Sequence, residues 1–513
     1  MGKEYGSEPL GKVLYSGRRP RRRREWRGFK DTWYDYTRWL YYLSVLARFM
    51  MKPNNFKGFF RYRWMSNYLA VPDFMDRHTE GLRGTALRLA HEGIGLIVID
   101  MTLSLTDMFK ADPEIGNDTE LSKKMVIFDE NMMSTLMGGF RNLKWVSYEV
   151  PAIYASSFMC QEGVMHYVDK THEYGVPTDV CPMPAAELGA AIDDDLPKIG
   201  ACAVQCNTTC DGSLMGGGLM ARSMGIPTFQ LASPIRHRQE SVQEYAGEEI
   251  LNAIHFIEEQ TGEKFDWDYL FENMARFNDE TKEFLEWLEI NKTPYPQLLG
   301  ATLGFYRYGE YMAAGGRSPL FLETSKKITK LATEAYRNKE MACKEYRHRA
   351  ILWGVQAAYY TAFPNWLMNC WGIVPINDML CCVSTEMVST TDKHQALLDL
   401  GYLYENMIMR SRSNGGYETG VEDLFRICEQ MNADMVIMYV HIGCKSMAGY
   451  HGLFEEEARK RGIHWIWVNH NLMVPYDGTR RDMRTEVNRY MRTILKEEPV
   501  DPSLEDFDDS LSW

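Results

Sequence analysis

Residues 198–231 restrict the fold more than any other stretch of this sequence. Lys198-Ile-Gly-Ala-Cys-Ala-Val-Gln-Cys206 has the make-up of a short buried strand, and Asn207-Thr-Thr-Cys-Asp-Gly212 that of the turn after it. Ser213 to Met224 then predicts a helix closed by Gly225, and Ile226-Pro-Thr-Phe-Gln-Leu231 a second strand. Strand, helix and strand in that order make a parallel pair with a crossover helix. The polar turn falls at the carboxyl end of a strand, where open parallel sheets hold their ligands.

The same alternation extends over most of the chain. We expect a first α/β lobe over 143–235 and a helical connecting segment over 236–347. Within that segment Glu240 to Glu289 carries Val242, Ile250, Ile254, Ile257, Leu270, Met274, Phe277 and Phe284 among acids and amides. A second α/β lobe is expected over 348–497, with strands at Ala350–Gly354, Gly372–Ile376, Met435–Val440 and Ile463–Val468 and a helix from Gly449 to Arg461. Residues 1–142 read as an N-terminal extension. It holds seven arginines between Arg18 and Arg27, then dense aromatics, and a run at Gly95–Asp100 that reads as a buried strand. Residues 498–513 form an acidic tail.

Composition narrows the function classes. Lys+Arg 57 against Asp+Glu 70 gives a net charge of −13, which argues against a role in gripping nucleic acid. We therefore expect the basic, aromatic arm to pack on a neighbouring subunit instead of binding RNA. No apolar run reaches the ~18–20 residues of a membrane span, so no membrane association is expected. The opening MGKEYGSEPLGKVLY lacks the apolar core of a secretory signal, which leads us to expect a cytoplasmic protein.

In a reducing compartment, clustered cysteines are metal ligands or small buried hydrophobes more often than disulfides. Of 11 cysteines, Cys160, Cys343, Cys370, Cys381, Cys382 and Cys428 sit among apolar or helical neighbours, and Cys202 lies inside a strand. Cys202, Cys206 and Cys210 are spaced C-x3-C-x3-C, not the C-x3-C-x2-C of a radical-SAM loop. Three others stand at the mouths of elements. Cys181 precedes Pro182 and a helix, Cys210 lies in the turn after a strand, and Cys444 lies in His441-Ile-Gly-Cys-Lys-Ser446 after another. A thiolate at a helix N-terminus has a lowered pKa and ligates metal well. Three convergent thiolates suit a cluster with one open iron better than a closed four-ligand zinc site. Spacing alone leaves ligation and simple burial equally open.

Taken together these segments resemble the 2-hydroxyacyl-CoA dehydratase / benzoyl-CoA reductase family, and within it a 2-hydroxyglutaryl-CoA dehydratase D-component-like subunit. The similarity is carried by Val150-Pro-Ala-Ile-Tyr-Ala155, Val180-Cys-Pro with Leu188-Gly189, Asn207-Thr-Thr-Cys-Asp-Gly212 and His441-Ile-Gly-Cys-Lys-Ser446, over roughly Leu143 to Leu495. The resemblance implies two doubly wound, Rossmann-like α/β lobes with parallel sheets, joined by helices. It also implies a heterodimer with a homologous second subunit, and a [4Fe-4S] cluster held by Cys181, Cys210 and Cys444.

The implied activity is that of a lyase, an oxygen-sensitive 2-hydroxyacyl-CoA dehydratase. One electron from an ATP-dependent iron–sulfur activator makes a ketyl radical anion at the thioester carbonyl of an acyl-CoA. The radical anion expels the 2-hydroxyl and makes the β-proton acidic enough to leave. The alternatives are an aryl-CoA reductase, which is an oxidoreductase, a non-catalytic cluster-bearing partner subunit, and an electron-transfer protein. Ser147 stands where a serine caps the open iron in some members. Ala152-Ile153 stand where the family carries a Glu, which makes Glu149 the acid nearest the base position. His470, in Asn469-His470-Asn471, is either a proton-transfer group or a strand-end histidine bonded to backbone.

Overall fold

A computed structural model describes residues 27–128, 131–206, 210–234, 239–381, 385–408, 411–412 and 415–507. The arginine run up to Arg24, Asn207 to Thr209 of the turn, Cys382 and the end of the acidic tail lie outside the described residues.

Two four-stranded sheets, every strand parallel to its neighbours, form the two lobes. The first is built from β1 (Met125–Phe128), β2 (Lys144–Ser147), β3 (Cys202–Cys206) and β4 (Thr228–Leu231), in the order β2-β1-β3-β4. The second is built from β5 (His348–Trp353), β6 (Ile373–Asp378), β7 (Met435–His441) and β8 (His464–His470), in the order β6-β5-β7-β8. The two orders are identical, so each lobe reverses direction after its second strand and opens a crevice beside its first and third. The first lobe begins before Leu143, because β1 pairs with both β2 and β3. Pro375, which has no N–H to give the ladder, lies on the edge strand β6 beside a register shift at Ala350/Ile351.

The longer helices described ahead of the sheets are α1 (Phe29–Met50), α2 (Pro53–Arg61), α3 (Val71–His78) and α4 (Gly84–Ala111). The expected strand at Gly95–Asp100 is part of α4. A short apolar run does not distinguish a strand from a helix that is buried along much of its length. Here the run continues a helical period in which Leu87, Ala90, Ile94, Val98, Thr102 and Leu105 are buried. The glycines that mimic turn signals serve close packing: a Cβ on Gly95 would lie 2.3 Å from the Tyr42 hydroxyl, and one on Gly93 would lie 2.9 Å from the Tyr306 ring.

The first lobe adds α5 (Pro182–Ile192) and α6 (Asp211–Met224). The connecting segment is α7 (Glu240–Thr261), α8 (Trp267–Lys292), α9 (Thr302–Ala314) and α10 (Pro319–Arg337). The predicted helical stretch from Glu240 breaks once, where Gly262 adopts a left-handed cap and Asp266 caps α8 by accepting from the Tyr269 N–H. The second lobe adds the short α11 (Lys445–Ala448), α12 (His451–Arg461) and α13 (Arg480–Tyr490).

The segment that follows α13 is pinned to the second sheet by a histidine. His348, at the start of β5, meets Asp434 through Nδ1 at 2.7 Å and Glu497 through Nε2 at 3.0 Å. Burial alone would lower its pKa, but the hydrogen bonds it donates to the two carboxylates outweigh that and hold it above the ordinary histidine value. A group whose folded pKa is raised contributes stability that is full below its unfolded pKa, about 6.5, and is lost as pH rises through the folded value. Urea denaturation should therefore show the wild type losing about 1 kcal/mol more than His348→Gln between pH 6 and pH 9, a charged pair discounted for its partly exposed carboxylates. Parallel pH profiles for the two proteins would refute the assignment.

Candidate functional site

The three cysteines singled out at the mouths of elements line one cavity of about 310 Å³ between the two lobes. Cys210 follows β3 and Cys444 follows β7, which are the third strands of two sheets with the same order. They are thus the same place in the fold, occupied once per lobe, beside the crevice where doubly wound sheets bind ligands. Cys181 reaches the cavity from the loop ahead of α5.

Each thiol stands at the start of a helix. Cys181 is the N-cap of α5, Cys444 that of α11, and Cys210 immediately precedes Asp211 of α6. Glycines allow the convergence. A Cβ on Gly216 would lie 2.8 Å from Pro184, so only glycine lets α6 approach the first turn of α5 and bring Cys210 toward Cys181. A Cβ on Gly443 would lie 2.9 Å from the His441 ring and 3.3 Å from the Cys181 Cα, so only glycine lets the Cys444 loop pass beneath them.

For Cys444 the expected lowering of thiol pKa does not occur. Burial raises it, and the backbone N–H groups of Met447 and Ser446 offset that only in part. A buried thiol of this kind ionises when a positive centre is placed against it. Among the described residues no three His, Cys, Asp or Glu side chains draw together as a site for one metal ion; the thiols ring the cavity instead.

His441, the last residue of β7, is the partner that sequence reasoning missed. Its Nε2 lies 3.2 Å from the Cys181 sulfur. Burial pushes its pKa down to about 4, which keeps the imidazole neutral near pH 7. Its ring stacks on that of His470 at 5.8 Å between centroids. The signal available in the sequence was its place at a strand end three residues before Cys444. Asp179 and Lys445 form an ion pair at the rim, joining the loop of Cys181 to the helix of Cys444 across the lobes. Val180, Met183, Val355, Leu380 and Leu472 make much of the wall apolar.

The other three candidates lie apart from the cavity lining. His470 is fully buried, its Nδ1 accepts the Leu472 backbone N–H at 2.9 Å, and burial drives its pKa well below the ordinary value. Ser147 ends β2, accepts the Val150 backbone N–H at 3.1 Å, and lines a separate cavity of about 450 Å³. Glu149 is 1% exposed in the helical turn that follows.

Two parallel α/β lobes with a cavity between them, lined by two cysteines that follow equivalent strands and a third ahead of a helix, define the class of protein. The particular family follows from its sequence: the model for the 2-hydroxyglutaryl-CoA dehydratase D-component matches residues 150–491, about two-thirds of the chain, and the chain belongs to that family. No curated protein matches the sequence individually. All three cysteines fall inside the matched segment, whereas Ser147 and Glu149 precede it. The family makes this a subunit of the 2-hydroxyacyl-CoA dehydratase type, and the word component implies a partner. Among the described residues no helix is long and apolar enough to cross a membrane.

Proposed function

We propose that this chain is the cluster-bearing subunit of an oxygen-sensitive 2-hydroxyacyl-CoA dehydratase, with Cys181, Cys210 and Cys444 as ligands of a [4Fe-4S] cluster. The observation that carries the reading is that three thiols far apart in sequence, each at the start of a helix, line one cavity between two lobes. The donor set suits the group: soft thiolates select iron–sulfur clusters, and three of them leave one iron without a protein sulfur. When bound, such a cluster supplies one-electron chemistry and a Lewis-acidic iron.

The residues themselves do the rest. Neutral His441 orients the Cys181 sulfur by hydrogen bonding. The apolar wall keeps water from the reacting end of an acyl thioester, and the Asp179–Lys445 pair holds the two lobes together at the rim. A homologous partner subunit and an ATP-dependent activator supplying the electron complete the proposal.

The test is iron and acid-labile sulfide content, with an EPR spectrum, on protein purified without oxygen. We expect about four of each per chain and a spectrum altered by adding a 2-hydroxyacyl-CoA. Folded protein, never exposed to air and devoid of iron, would sink the reading.

A further inference from the structure

Helix α1 turns one face to the protein and, among the described residues, leaves the other exposed. Asp35, Tyr42, Val45, Leu46 and Phe49 are its buried residues, packed against α3 and α4. His91 of α4 ties this face down, meeting Asp35 through Nε2 at 2.9 Å and the Tyr42 hydroxyl through Nδ1 at 2.9 Å. The outer face carries Phe29 (84% exposed), Trp33 (63%), Tyr36 (53%), Leu40 (50%) and Leu43 (41%), and ends in exposed Ala47. Single exposed apolar residues need no explanation, but a contiguous row of large ones marks an interaction surface. The spacing between these six is four, three, four, three and four residues. That is the a/d seam of a two-stranded coiled coil, maintained over almost the whole helix.

We infer that this face pairs with the same face of a second copy of the chain, the two α1 helices lying antiparallel. The order of side-chain sizes argues for it. With a two-fold axis near Arg38, Phe29 meets the partner's Ala47, Trp33 the partner's Leu43, and Tyr36 the partner's Leu40. Every contact then sets an aromatic against a smaller aliphatic, so the summed width stays even along the seam and packs without voids. A parallel pair would oppose tryptophan to tryptophan near one end and alanine to alanine at the other. The flanks are uncharged at mid-helix, where Thr37 and Ser44 stand beside the seam, and their cations, Lys30 and Arg48, are confined to its two ends. Antiparallel helices also set their macrodipoles in opposition, and a self-complementary two-fold contact is the commonest way a chain forms a dimer. Beyond α1, exposed Phe56 and Phe60 extend the apolar surface along α2. This surface precedes residues 150–491, so it is independent of the segment that defines the family and of the cysteine cavity.

Sedimentation equilibrium of the full-length chain, run anaerobically at micromolar concentration, tests the inference. Wild type should sediment at twice 59.4 kDa and Trp33→Glu/Leu40→Glu at 59.4 kDa, with unchanged circular dichroism. Both positions are exposed, so the fold is not at stake. Phe29→Cys/Ala47→Cys should give a disulfide-linked dimer under mild oxidation, and Phe29→Cys alone should give no more linked dimer than wild type. A monomeric wild type would overturn the inference, whether residues 1–26 or a different protein cover the face. So would a dimer that survives the double glutamate variant, or efficient linkage by Phe29→Cys alone.

Discussion

Replacing Cys210 by serine should remove most of the iron and all measurable dehydratase activity while leaving the chain folded. The side chain is half-buried and contacts the Ser213 hydroxyl at 3.7 Å. Exchange of sulfur for oxygen there should shift the denaturation midpoint by no more than a surface substitution does, within about 0.5 kcal/mol. The same holds in direction for Cys181 and Cys444, which line the cavity with it. Cys428 is the control. It is 1% exposed, and burial pushes its thiol up to about 12. Serine there buries a hydroxyl in an apolar site and should cost about 1–3 kcal/mol with iron content unchanged. His441→Phe should fall between the two, keeping the ring volume while removing the contact to Cys181; loss of such an outer partner weakens metal affinity by about 10–100-fold. Iron and sulfide analysis, a dehydratase assay and urea denaturation on the five variants read these outcomes. Full iron retention in Cys210→Ser would refute the ligand assignment.

The largest loss of stability is expected at Arg307. Arg307 and Glu310 of α9 and Glu280 of α8 are each completely buried. The guanidinium pairs with Glu310 at 2.8 Å, donates to the Thr281 hydroxyl at 2.9 Å, and lies over the Phe277 and Phe284 rings at 5.5 and 5.2 Å. Both carboxyls are held above the usual range by burial. For Glu280 the neighbouring Glu310 adds to the effect, whereas for Glu310 the Arg307 charge works against it. Removing one partner of a buried ion pair leaves an uncompensated charge, so Arg307→Met should cost about 3–5 kcal/mol. The sign with pH follows from the raised folded pKa values: the folded state binds protons the unfolded state has released, so stability falls as pH rises above the unfolded carboxyl value of about 4.3. That fall should be steeper in Arg307→Met. Adding Glu280→Gln and Glu310→Gln should restore most of the loss and flatten the profile in urea denaturation. No recovery in the triple variant would show that Arg307 acts by packing its stem and not by compensating charge.

Local patterns identified much of the fold, because strand and helix periods are written in consecutive residues. The β3–α6–β4 unit, the four strands of the second sheet and the long helices between the lobes were legible this way, whereas β1 and β2 were not, β1 falling in what reads as the N-terminal extension; the family resemblance is borne out by the match over residues 150–491. Gly95–Asp100 shows where that reading fails. Its four apolar residues, Leu96 to Ile99, carry no period of their own, and Gly93 and Gly95 answer to Tyr306 and Tyr42, which are distant in sequence. The two strand-end histidines fail for a related reason. His441 and His470 are register partners at the ends of β7 and β8. Only the sheet order, with β7 inside beside β5 and β8 at the edge, decides which one reaches the cavity.

The sequence by itself determined the residue types available to the site. Three cysteines stand before helices, two of them after strands, because a cysteine's neighbours and a turn's composition are local facts. Their meeting at one cavity was decided by tertiary structure alone. It depends on how the two lobes face each other and on the absence of a Cβ at Gly216 and Gly443. The rise of the Cys444 pKa was decided there too, because burial depends on the atoms packed around a group and not on its neighbours in the chain.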